Sequence, residues 1–181
     1  MGMVEDGASL AHDFVGSLGP RWRHVQAVAR RAEECIPAVE PSEGAMLDAA
    51  AWLHDIGYAP TLADTGLHPL DGARFLVSSN WPERVINLVA HHSGARYEAR
   101  ERGLSAELEA FPFRDDGLSD ALATADLTTG PSGLPVSFDD RVNEILERYG
   151  SEHPVHRAWL VARPVLALAV ERTEARLALS L

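Results

Sequence analysis

Lysine is absent from this sequence, and all 16 of its basic side chains are arginine. Basic contacts must therefore come from arginine or histidine, and arginine brings a planar fork suited to phosphate. Against 27 acidic residues the formal net charge is −11. That balance argues against a nucleic-acid polymer as partner, which needs a broad basic face, although local basic pockets remain open. Cysteine is reduced to Cys35, so no intrachain disulfide can form and a reducing compartment fits. On an apolar helical stripe, Cys35 is expected to pack as a small hydrophobe. The opening MGMVEDGASLAHDF lacks the basic and apolar regions of a signal peptide. Long apolar runs are missing too: VARPVLALAV is short and interrupted by Arg163 and Pro164. The expectation is a soluble cytoplasmic protein with no membrane partner. Alternating Val/Ile/Thr segments are also lacking, so no strand is expected.

What remains is helical periodicity. With 181 residues, 46% of them hydrophobic, the chain suits one domain with a proper core. RWRHVQAVARRAEECI spaces Val25, Val28, Ala32 and Ile36 as one amphipathic helix. A second helix runs from Glu43 to about Asp55, carries Met46, Leu47, Ala50 and Leu53, and is closed by Gly57 and Pro60. His68 to about Ser79 makes a third. Asn80, with Pro82 just inside, starts a fourth that runs to His92. SGARYEARERGLSAELEAF mixes loop and short helix. Asp115 or Asp116 caps a fifth helix with Leu118, Leu122 and Ala125, stopping at Gly130-Pro131. Phe138–Tyr149 and Val155–Leu181 follow, the last expected to bend at Pro164. The expected fold is one all-α domain over residues 1–181, with no internal repeat or linker.

Several polar residues fall on the apolar stripes. His54 lies one turn after Ala50, His24 one turn before Val28, and His92 follows Val85, Leu88 and Val89, with His91 beside it. Asp126 follows Leu122 by four residues. Any one of these is ordinary as a hydrogen-bonded core histidine or a helix-end carboxylate. Together they are not, because burying several such groups requires a complete network or a metal. Inward-facing imidazoles and carboxylates on helices are the donor set of a transition-metal site.

The order His24 … His54-Asp55 … Asp126, with HDIG intact at 54–57, resembles the HD-domain superfamily of metal-dependent phosphohydrolases. HPLDGARFL at 68–76, the doublet His91-His92 and TADLTTG at 124–130 are similar to further segments of that family. The likeness covers about residues 20–130, and the helices at about 137–181 carry no matching motif. It implies a helical bundle in which His24, His54, Asp55 and Asp126 hold one divalent ion. It further implies that His68, His91 and His92 serve a second ion, with Asp55 bridging and His54 and Asp55 at the centre of catalysis. Pro20 stands where three-metal relatives carry a glutamate, and no GYP follows the doublet, which sets aside a third metal and cyclic-di-GMP.

Two ions about 3.5–4 Å apart can present a hydroxide and neutralise phosphoryl oxygens, so hydrolysis needs no covalent nucleophile. The expected substrate is a small phosphorylated molecule, such as a nucleotide, with Arg21, Arg23, Arg96 and Arg100 as candidate phosphate contacts. The donor set suits Mn, Fe, Zn, Ni, Co or Mg. A di-iron oxygenase and a non-catalytic regulatory module are the alternative readings.

Overall fold

The computed structural model describes residues 2–180, and among them the architecture is all-α. The first helix, α1 (Met3–Val15), has no counterpart among the helices that the apolar periodicity predicts. It buries Gly7, Ala11 and Val15, a stripe of small residues at four-residue spacing, against α3 (Gly44–Leu53). α2 (Pro20–Cys35) starts on Pro20, where the missing amide costs nothing, and buries His24, Val25, Val28, Ala32 and Cys35. Packed between α1 and α2, α3 is apolar on most sides, which suits a central helix.

His54 caps α3, and Asp55 begins a tight turn, Ile56–Tyr58, that delivers the chain to α4 (His68–Ser78). Glycine is required in that turn. A Cβ on Gly57 would lie 2.0 Å from the His68 carbonyl oxygen and 2.8 Å from the Gly72 amide nitrogen. The turn therefore presses against the first turn of α4, and the spacing between Asp55 and His68 follows from that contact.

α5 (Glu83–His91) starts later than expected, immediately after Pro82. Asn80 does not cap it. Its φ of 56° is left-handed, a conformation asparagine tolerates, and its amide closes the end of α4 on Val77. After a kinked turn, His92–Gly94, come α6 (Ala95–Arg102) and the single turn α7 (Ser105–Leu108). α8 (Gly117–Leu127) is capped by Asp116, whose carboxylate accepts from the Ser119 amide, while Asp115 pairs with Arg172 instead.

α9 (Phe138–Arg148) and α10 (Pro154–Leu179) close the bundle. α10 runs through Pro164 as one helix; Leu160, four residues earlier and deprived of its amide partner, is exposed, where water can serve its carbonyl. A second apolar cluster of Leu127, Val142, Ile145, Trp159 and Leu166 ties α8 to α9 and α10. Buried Asp120 on α8 receives Arg172 and Arg176 from α10 at hydrogen-bond distance. The C-terminal helices are thus fastened to the helix that carries Asp126. Cys35 is fully buried, and burial pushes its thiol up to about 11, consistent with a packing role. Among the described residues no helix is long and apolar enough to cross a membrane.

Candidate metal centre

Four histidines and two aspartates from five segments of the chain meet at one cleft, which all but the fully buried His54 line. His24 comes from α2, His54 and Asp55 from the end of α3, His68 from the start of α4, His92 from beyond α5 and Asp126 from α8. They form two groups. The donor atoms of His24, His54 and Asp126 all lie within 4.8 Å of one another, and so do those of Asp55, His68 and His92. Asp55 faces both. Its Oδ2 is 3.4 Å from His54 Nε2 and 3.9 Å from His24 Nε2. Its Oδ1 is 3.2 Å from His68 Nε2 and 3.7 Å from His92 Nε2.

Backbone carbonyls orient three of the rings. Nδ1 of His24 donates to Gly130, that of His54 to Ala51 at 2.7 Å, and that of His92 to Val89 at 2.7 Å. A carbonyl can only accept, so each Nδ1 carries the proton and each Nε2 turns its lone pair inward. The His54 Nε2 is buried and has no hydrogen-bond partner. His24 Nε2 and Asp126 Oδ1, two acceptors when the ring is neutral, approach to 3.0 Å. That closeness needs positive charge on or between them. The donor set therefore fits divalent metal: inward lone pairs, an orphaned buried nitrogen and a two-faced carboxylate.

The electrostatics point the same way. Burial opposes charge on Asp55, but Arg21, then His54 and His68, outweigh it and hold its carboxyl well below the usual range. Asp126 is likewise held low against burial, by the close approach of His24 and then by His54 and Arg141. Burial pushes His68 down to about 4, so the ring is neutral and able to coordinate. Tyr58 stacks on it, with ring centroids 3.9 Å apart.

The chain's HD-domain likeness now has an independent measure. The family model described as HD domain matches residues 21–121, more than half of the sequence. The chain belongs to the HD-domain family. The match ends before Asp126, so that residue's place in the HD domain's centre rests on geometry. A stretch of 96 residues is 34% identical to the tRNA (cytidine(56)-2'-O)-methyltransferase of Picrophilus torridus, covering 51% of this chain and 25% of that protein. The chain thus spans about a quarter of that relative's length. No solved structure matches the chain.

One expected ligand lies apart. His91 turns away from the centre, and its Nε2 sits 2.6 Å from the Phe111 carbonyl oxygen. The physical reason is helical geometry: adjacent positions point about 100° apart, so only one histidine of the doublet can face inward. Three of the four candidate arginines also lie elsewhere. Arg23 and Arg100 are exposed and outside the cleft, and Arg96 covers the Phe113 ring in a different depression. Arg21 alone lines the cleft, 2.6 Å from Asp55 Oδ2 and stacked over Tyr58.

Other contributors carry no motif in the sequence. Ser93, at a left-handed φ of 50°, donates its hydroxyl to Asp126 Oδ2. Tyr58, Arg102, Arg141 and Arg148 line the same cleft. A signal for the last two existed: Arg141, Ile145 and Arg148 recur at helical spacing on the apolar stripe of α9.

Proposed function

We propose that this HD domain is a metal-dependent phosphohydrolase acting on a small phosphate ester, such as a nucleotide, with two divalent ions. The observation that carries the reading is the position of Asp55, one oxygen toward His24 and His54 and the other toward His68 and His92. His24, His54 and Asp126 would hold one ion, His68 and His92 the other, and Asp55 both. Bound there, the ions would supply Lewis-acid charge to a phosphoryl group and activate a water for its hydrolysis.

The chain's own residues prepare that chemistry. Carbonyl-anchored rings of His24, His54 and His92 keep their lone pairs on the centre, and Ser93 fixes the carboxylate of Asp126. Arg21 stays charged because Asp55 outweighs its burial, and it orients that carboxylate. Tyr58 remains a neutral phenol, raised above its ordinary value by burial and then by Asp55, and it steadies His68.

Size and charge support a small substrate over a polymer. The cleft is about 420 Å³, within the usual range for small-molecule sites, and the chain's formal charge is −11. The Picrophilus relative acts on tRNA by its name, but the shared segment covers only 25% of it. The test is a panel of phosphomonoesters and nucleotides assayed with Mn, Fe, Zn, Ni, Co or Mg, with oxygen uptake followed in parallel. Metal-dependent phosphate release without oxygen uptake supports the reading. Oxygen-dependent loss of substrate, or no release with any metal, contradicts it.

A further inference from the structure

Two arginines of the cleft, Arg141 and Arg148, lie beyond residues 21–121, the part that matches the family. Both belong to α9, and two turns of helix place them on one face, about 10 Å apart along its axis. Glu144 sits between them and engages both: Arg141 Nη1 approaches its Oε2 to 2.6 Å, and Arg148 Nε its Oε1 to 2.8 Å. One carboxylate shared by two guanidiniums leaves net positive charge on this wall of the cleft.

Arg141 is the informative member. It is only 7% exposed, yet its buried Nε has no hydrogen-bond partner. Buried donors are normally met, and Arg84, which pairs with Asp116, leaves its Nε open in the same way; what sets Arg141 apart is that it also lines the cleft. It lines the same cleft as His24 and Asp126 of the first ligand group. The other two arginines of the cleft each have a carboxylate of their own, whereas Arg141 and Arg148 share one. Arg21 is engaged by Asp55 at 2.6 Å, and Arg102 by Glu98 at 2.7 Å.

We propose that Arg141 and Arg148 form an anion subsite that takes non-reacting oxygens of the substrate's phosphate, Arg141 on the metal side and Arg148 toward the rim. The inference rests on the phosphohydrolase reading and narrows it to phosphomonoesters. A terminal phosphate exposes three oxygens, enough to face the ligand groups on one side and a guanidinium on the other. A diester has one fewer to offer. The C-terminal helices thereby become part of the substrate site.

Titration calorimetry of inorganic phosphate into the full-length, metal-loaded chain tests the subsite, with metal content measured on every sample. Arg141→Gln should weaken phosphate binding about tenfold or more, and Arg148→Ala by a smaller factor, both with metal content unchanged. Arg148 is partly exposed, so its variant decides the matter if Arg141→Gln fails to fold. Wild-type phosphate affinity in a folded variant with normal metal content would overturn the subsite and leave the arginines as clamps on α9. Ester hydrolysis would be untouched by that result. A wild-type chain that neither hydrolyses esters nor binds phosphate would instead remove the phosphohydrolase reading, and the subsite with it.

Discussion

His68 Nε2 stands 3.2 Å from Asp55 Oδ1, although Asp55 follows the end of α3 and His68 opens α4. The residue that sets this spacing is neither of the two. Gly57 lets the intervening turn lie directly on the His68 carbonyl, where a Cβ would have only 2.0 Å. Replacement Gly57→Ala must push α4 away. We expect a loss of about 2 kcal/mol or more in denaturant unfolding, typical of overpacking against backbone. Metal content should fall chiefly at the Asp55–His68–His92 group. Unchanged stability and metal content would show that the turn relaxes freely.

Asp55→Ala removes the carboxylate that faces both groups. Metal binding and hydrolysis should be abolished while far-UV circular dichroism keeps the helical signal. Some stability should go too, because bound metal is linked to the folded state. Normal turnover with full metal occupancy would refute the role given to Asp55.

The doublet offers an internal control. His91→Ala should leave metal content at the wild-type level and cost about 1 kcal/mol, the worth of its bond to the Phe111 carbonyl. His92→Ala should empty or weaken the second group. Metal loss on replacing His91 would mean that the doublet rearranges when loaded.

Asp48 gives a prediction about pH, away from the centre. It lies on α3, 8% exposed, with one carboxylate oxygen unpaired. Burial, then Glu33 and Glu5, push its carboxyl up to about 6. An acid raised on folding is neutral in both states at low pH and penalises the folded state once ionised. This group's contribution to stability therefore falls as pH rises through about 4 to 6. Asp48→Asn removes the penalty. The variant should gain on the order of 1–2 kcal/mol at pH 8 and match the wild type near pH 4. Equal stabilities at both pH values would place the Asp48 carboxyl in contact with solvent.

The sequence carried most of the helices because their apolar stripes are regular, as in α2 and α9. It did not disclose α1, whose inner face is Gly7, Ala11 and Val15, since two of these residues are too small to stand out from the surrounding polar sequence. It brought His24, His54, Asp55, His68, His92 and Asp126 forward through spacing and family likeness, and the structure places them together. His91 was indistinguishable from His92 in a bare doublet; only the end of α5 decides which ring faces inward. Arg96 and Arg100 are near the doublet in sequence, yet α6 keeps them out of the cleft. Arg141 lies on the apolar stripe of α9, so its spacing marks it as inward-facing, but only the packing of α9 on α8 shows that the inward face meets the cleft. Ser93 acts through a left-handed backbone that no local preference of serine announces.

Metal stoichiometry tests the central claim most directly. The wild-type chain and a His68→Ala/His92→Ala variant should be reconstituted with excess Mn or Fe, desalted, and analysed for metal per chain. Two groups sharing Asp55 predict about two ions in the wild type, and about one in the variant, which keeps His24, His54, Asp55 and Asp126. One ion in the wild type, or an unchanged content in the double variant, would contradict the two-ion centre.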